Sequence, residues 1–157
     1  MPPNDTPEPS KPSRRRSREE VIRMTRQFME ALPHAKALGL EVRSLGEGRA
    51  EFLLPYSAEL VGDPDTGVLH GGAVSSLLDS TCGAAVICHP ENTGGTATLD
   101  LRIDYMRAAT PGQAVIARAE CYHVTRSVAF VRAEALDDDT ERPVAAATGA
   151  FTFAAAS

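Results

Sequence analysis

The chain has no tryptophan, and its 157 residues include only five phenylalanines and three tyrosines. Few large aromatic side chains are on hand to line a pocket, and composition selects neither an aromatic nor an aliphatic ligand. No apolar run approaches the roughly 20 residues of a membrane-crossing helix, which excludes a helical span. The N-terminus also lacks the apolar core of a secretory signal, so the expected address is the cytoplasm. Positive charge is not in excess. The formal net charge is −5, whereas general nucleic-acid binding needs a clustered surplus of lysine and arginine. Cysteine is scarce too: Cys82, Cys88 and Cys121 are odd in number, form no C-x-x-C pair and sit among apolar neighbours. That is the pattern of buried thiols rather than of a disulfide framework. His89, His123, Cys82 and Cys88 match no tight zinc-ligand spacing, so no metal is expected.

What is present is the composition of an ordinary globular domain, with 43% hydrophobic and 24% charged residues and a length suited to one domain. Residues 1–17 carry Pro2, Pro3, Pro7, Pro9, Pro12 and the run Arg14-Arg15-Arg16 without apolar periodicity. They are expected to form a disordered tail without assigned function, ahead of a single domain over residues 18–157. From Arg18 to Leu32, Val21, Ile22, Met24, Phe28, Met29 and Leu32 recur at helical spacing. Ser17 stands at the cap with Glu20 at the capping-box offset, and Pro33 ends the helix.

Leu40–Leu45 and Arg49–Leu54 read as a hairpin across Gly46-Glu47-Gly48, followed by a loop from Pro55 to Leu69. A long helix from Gly71 to Cys88 comes next. Strands follow over Thr96–Met106, Gln113–Val124, Val128–Leu136 and Val144–Phe153. In the first, Leu99, Leu101, Ile103 and Tyr105 alternate with Asp100, Arg102 and Asp104, the period of a half-buried strand. Consecutive hairpins imply an antiparallel sheet. The expected architecture is α+β: five or six strands around a long central helix, with an N-terminal helix.

The stretch GVLHGGAVSSLLDS, Gly67 to Ser80, concentrates the chemistry. A helix beginning at Gly71-Gly72 offers unpaired backbone N–H groups and partial positive charge, suited to a developing oxyanion. Asp79 lies eight residues on, which at a rise of 1.5 Å per residue is about 12 Å from that terminus. One helix cannot bring both to one carbonyl. The stripe Gly72, Ser76, Asp79, Gly83 is small enough for a second, antiparallel copy to approach, and the expectation is a homodimer with two shared sites.

His70-Gly71-Gly72 with an aspartate nine residues after the histidine, followed by a strand ending Asp104-Tyr105-Met106-Arg107, resembles the hotdog-fold acyl-CoA thioesterases of the PaaI-like type over about Ala37 to Phe153. The resemblance implies a sheet wrapped around a helix, dimers that often pair into tetramers, and hydrolysis of coenzyme A thioesters. By position, Asp79 matches the catalytic general base or nucleophile, and Gly71 the backbone donor to the carbonyl. Thr98 matches a residue that helps hold the attacking water, and His70 the motif histidine that shapes the loop. The family often has an asparagine before this motif, where Asp63 and Asp65 stand here. An ionised aspartate accepts but cannot donate a hydrogen bond, which leaves the helix N-terminus as the main donor.

Gly72, Asp63, Asp65, Arg107, Arg126 and Ser127 are candidates for substrate contact, the last two in a turn that this family places near the pantetheine or nucleotide. No cofactor is expected, since coenzyme A is part of the substrate. Two further readings are a dehydratase or hydratase of acyl thioesters on the same fold, and a non-catalytic acyl-CoA-binding or sensing module, which would need the pocket but not Asp79.

Overall fold

The computed structural model describes residues 17–155. The proline- and arginine-rich segment expected to form a tail lies outside them except for Ser17, which is the N-cap of the first helix. Its hydroxyl accepts from the Glu20 N–H at 3.2 Å, and Glu19 and Glu20 complement the positive helix end of α1 (Arg18–Ala31). Pro33 does more than stop this helix. A residue before proline is pushed out of the helical region, and Leu32 is accordingly extended at φ −62°, ψ 125°. Pro33 then takes the first position of a second helix, α2 (Pro33–Leu38), where its missing N–H has no partner to lose. Gly39 closes α2 in the left-handed conformation, φ 70°.

Strands β1 (Glu41–Gly46) and β2 (Arg49–Leu54) form the expected hairpin, with Gly48 at φ 67° in its turn. The segment expected to be a loop carries a 3-10 turn, Ala58–Leu60, and a small hairpin of β3 (Val61–Asp63) and β4 (Val68–Leu69). The long helix α3 spans Gly71–Ile87, and β5 (Thr98–Tyr105), β6 (Val115–Val124), β7 (Val128–Leu136) and β8 (Ala145–Thr152) complete the chain.

The main sheet is antiparallel and six-stranded, in the order β1-β2-β6-β7-β8-β5. Its sequence of hairpins is interrupted twice, on the way into β5 and on the way out of it to β6. After β2 the chain crosses the sheet through α3 and enters β5 at the far edge, beside β8 rather than β6. Helix α3 packs far less on β5 than on β6, β2 or β7, so the half-burial expected for β5 is met only in part: Leu101 and Ile103 are partly covered, whereas Leu99 is 58% exposed.

Helix α3 packs chiefly on β6, β2 and β7. It buries Val74, Leu77, Leu78, Cys82, Ala85 and Val86 against Phe52, Leu54, Val115, Val131 and Phe151. Each large apolar side chain buried there stabilises the fold by about 1.5–3 kcal/mol. The opposite strip of α3, with Gly72 exposed and Ser76, Asp79 and Gly83 half-buried, is left without a cover from the sheet. Among the described residues no helix is long and apolar enough to cross a membrane.

Candidate active site

His70 builds the entrance to α3. Its N–H donates to the Leu60 carbonyl at 2.8 Å, while its Nδ1 accepts from the Gly72 N–H at 2.9 Å and its carbonyl from the Ala73 N–H at 3.0 Å. A neutral imidazole used as acceptor at Nδ1 carries its proton on Nε2. The cap also explains one glycine. A Cβ on Gly72 would lie 2.8 Å from His70 Nδ1, so no side chain fits without breaking the cap. Gly71 differs, since a Cβ there would meet nothing closer than the Tyr105 hydroxyl at 3.5 Å. With Gly72 and Ala73 bonded to His70, the Gly71 N–H is the one of the first three helix N–H groups that makes no hydrogen bond among those described. It is free to donate to an incoming oxygen.

Asp79 sits half-buried on the uncovered strip of α3. Thr98, the first residue of β5, donates from Oγ1 to Asp79 Oδ1 at 2.7 Å. The hydroxyl thereby orients the carboxylate and leaves Oδ2 without a partner among the described hydrogen bonds. Beneath it, burial and then the Asp79 charge push the Cys82 thiol up to about 12. A thiol held so far up is not a nucleophile at neutral pH.

The other candidates divide. Asp63 is consumed by its own turn: its carboxylate accepts from the Asp65 N–H at 3.1 Å and the Thr66 hydroxyl at 2.7 Å, and the Thr66 bond chiefly lowers its pKa. Asp65 is exposed in that turn. Arg107, considered above for the phosphates of coenzyme A, is held instead by Asp137, through Nη1 at 2.7 Å and Nη2 at 2.5 Å, and by the carbonyls of Arg142 and Ala108. Arg126 and Ser127 are exposed in the β6–β7 turn, which the Phe153 N–H ties to β8 through the Ser127 carbonyl at 2.9 Å. Since Val128 pairs with Thr152 and Thr98 with Phe151, this turn lies at the Thr98 end of the sheet. Arg107, whose N–H donates to Val144, lies at the opposite end.

Two residues at the site were not singled out by the sequence. The Tyr105 hydroxyl at the end of β5 donates to the Gly71 carbonyl at 2.6 Å and is 2.6 Å from the Ser75 hydroxyl. The apolar alternation of β5 and the run Asp104-Tyr105-Met106-Arg107 both contain Tyr105, but neither speaks for a bond to the helix end. A cleft of about 300 Å³ opens beside Gly71, lined by Val68, Leu69, Val74, Tyr105, Met106 and also by Arg107, among others. No group of three or more histidine, cysteine, aspartate or glutamate side chains is placed to hold a metal among the described residues.

A six-stranded antiparallel sheet wrapped on one helix, with a free N–H at the helix start and an oriented carboxylate two turns on, defines a hotdog domain of the thioester-processing kind. The chain belongs to the thioesterase superfamily, whose model matches residues 66–144, half of its length. It is similar to a Pseudomonas aeruginosa protein of known crystal structure, with 43% identity, coverage of 84% of this chain and 98% of that one, and a TM-score of 0.75. A mutant of the phenylacetic acid degradation protein PaaI from Thermus thermophilus is 31% identical over 78% of this chain and 99% of its own, with a TM-score of 0.69. YigI of Salmonella typhimurium, a medium/long-chain acyl-CoA thioesterase, is 26% identical over 137 residues, 79% of this chain and 87% of YigI.

Proposed function

We propose that the protein hydrolyses acyl-CoA thioesters to a free acid and coenzyme A at two sites, each shared by two copies of the chain. The observation that carries this reading is the separation of the two chemical groups along α3. The free Gly71 N–H stands at the helix start, and Asp79, its Oδ2 unengaged, about 12 Å further along. The groups meet only when a second α3 lies antiparallel on the uncovered strip, with Asp79 of one copy opposite Gly71 of the other. The unpaired edge of β5 and the exposed Leu99, Tyr105 and Met106 beside it support such an approach.

In the proposed reaction the thioester oxygen points at the Gly71 N–H and the carbonyl carbon faces a water on Asp79 Oδ2. Asp79 takes the water proton as the water oxygen attacks, and the tetrahedral oxyanion is held by Gly71 and the positive helix end. The carbon–sulfur bond then breaks, the sulfur leaving with the proton as coenzyme A. Thr98, donating to Oδ1, holds the carboxylate in place. Direct attack by Asp79, forming an anhydride that water then opens, uses the same atoms. The lining of the cleft beside Gly71, mostly apolar with Tyr105 and Arg107 at its wall, suits an apolar acyl chain, in line with the medium- and long-chain substrates of YigI. The exposed Arg126 and Ser127, in the turn at the Thr98 end of the sheet, are our candidates to meet the pantetheine or phosphates.

The test is thiol release from a panel of aryl-, medium- and long-chain acyl-CoAs, with Asp79→Asn and Gly71→Pro alongside. Proline is suited to the first helical position, and His70 already has the extended ψ of 133° that a following proline requires. Gly71→Pro therefore deletes the single N–H while leaving the helix intact. Turnover by the unmodified protein and its loss in both variants support the reading. Tight acyl-CoA binding with no turnover would instead make the protein a binding module.

A further inference from the structure

The geometry points to Tyr105 as a positioning residue that aims the Gly71 N–H, and to β5 as a splint that ties the oxyanion donor of one site to the carboxylate of the other. The inference rests on Gly71 acting as that donor. Strand β5 touches α3 through a hydroxyl at each of its ends. Thr98, its first residue, donates to Asp79, and Tyr105, its last, donates to the Gly71 carbonyl. The Ser75 hydroxyl closes the second contact into a triangle, 2.6 Å from the Tyr105 hydroxyl and 3.1 Å from the Gly71 carbonyl. Two protons serve three oxygens there, so Tyr105 donates to Gly71 directly or through Ser75, and in either arrangement the carbonyl is held.

What this does to the N–H follows from the planarity of the peptide unit. The peptide after Gly71 is fixed at both ends, its carbonyl by Tyr105 and Ser75 and its N–H by His70 Nδ1. The peptide before it is fixed through the His70 carbonyl, which accepts from the Ala73 N–H. Gly71 has no side chain to restrain it, and glycine is the residue with the widest backbone freedom. The peptide that carries the free N–H is held at its carbonyl end only, so its tilt also depends on the Gly71 dihedrals, which the hydroxyl clamp on the following peptide helps to fix; donors aimed in advance are what make oxyanion stabilisation effective.

The experiment is Tyr105→Phe in the full chain, which keeps the ring and removes the hydroxyl. With an acyl-CoA that the unmodified protein turns over, kcat is expected to fall about tenfold with KM within about twofold, since a small misplacement of a positioned group costs rate rather than affinity. Adding Ser75→Ala, which removes the remaining hydroxyl on the Gly71 carbonyl, should lower kcat further. Amide hydrogen exchange, read by NMR, should quicken at Gly72 and Ala73 in Tyr105→Phe while the Tm stays near that of the unmodified protein. Unchanged kcat, or unchanged exchange at Gly72 and Ala73, overturns the assignment. A fall in Tm with full kcat reduces Tyr105 to a structural prop and overturns it equally. If the unmodified protein releases no thiol from any acyl-CoA, the hydrolase reading fails, while exchange at Gly72 and Ala73 still decides whether Tyr105 holds the helix end.

Discussion

Two aspartates of this chain, Asp137 and Asp79, sit in regions that differ in every respect that matters for chemistry. Asp137 has no exposed side-chain surface. Its oxygens accept five hydrogen bonds: two from Arg107, two from Thr110 and one from the Asp139 N–H. Asp79 is half-buried on an uncovered helix strip and accepts one, from Thr98. A saturated carboxylate joins chain segments, here the strand-to-loop corner after β5 and the end of β7. A carboxylate held by a single hydroxyl on one oxygen keeps the other available to a water or a carbonyl carbon. The contrast gives the first region a structural part and, on the proposed reading, leaves chemistry to the second.

The largest effect is expected from Asp79→Asn. Acyl-CoA hydrolysis should fall by about 10²–10⁴-fold, the usual contribution of a general base, with the Tm unchanged in thermal denaturation. Asp137→Asn should do the reverse. Removing one partner of a buried ion pair costs about 3–5 kcal/mol, to be read from urea unfolding, while the folded fraction retains its rate. Thr98→Ala should lower the rate about tenfold or somewhat more, from the loss of a hydrogen bond to a charged group, with little change in stability.

Acid should also discriminate. The Arg107 hydrogen bonds hold the Asp137 carboxyl well below the usual carboxylate range. A folded pKa below the unfolded one gives stability that is present above the unfolded value near about 4 and lost as pH falls through the folded one. The Tm should therefore drop progressively below pH of about 4, and Asp137→Asn should flatten that fall. The smallest effect concerns the thiols. Burial pushes Cys82 up to about 12 and Cys121 up to about 11, so the native protein should react with a thiol reagent near neutral pH only as fast as it unfolds.

The sequence made the α+β layout, the Gly48 turn and the span of α3 legible because each rests on local rules: capping, periodicity and turn chemistry. It also marked Asp79 and Gly71 through spacing along one helix, and the contact of Thr98 with Asp79 lies where the resemblance put those residues. What it hid is non-local. The place of β5 at the far edge follows from the crossover through α3, which no strand pattern encodes. Tyr105 stands in an alternating strand and in the run Asp104-Tyr105-Met106-Arg107 without a role of its own, and its hydroxyl acquires a partner only through that crossover. Arg107 reads as a cation free for phosphate until Asp137, thirty residues on, takes both its terminal nitrogens. Asp63 likewise reads as open to a ligand, although its own turn fills its acceptors.

Complementation decides whether each site joins Asp79 of one copy to Gly71 of another. Asp79→Asn and Gly71→Pro chains carrying different tags are co-expressed, and the mixed dimer is isolated through both tags. Each variant alone should be inactive, whereas the mixed dimer holds one site with both groups intact and should recover about half the wild-type rate, as two-fold symmetry requires. A mixed dimer as inactive as its parents would place both groups in the same chain and contradict the shared site.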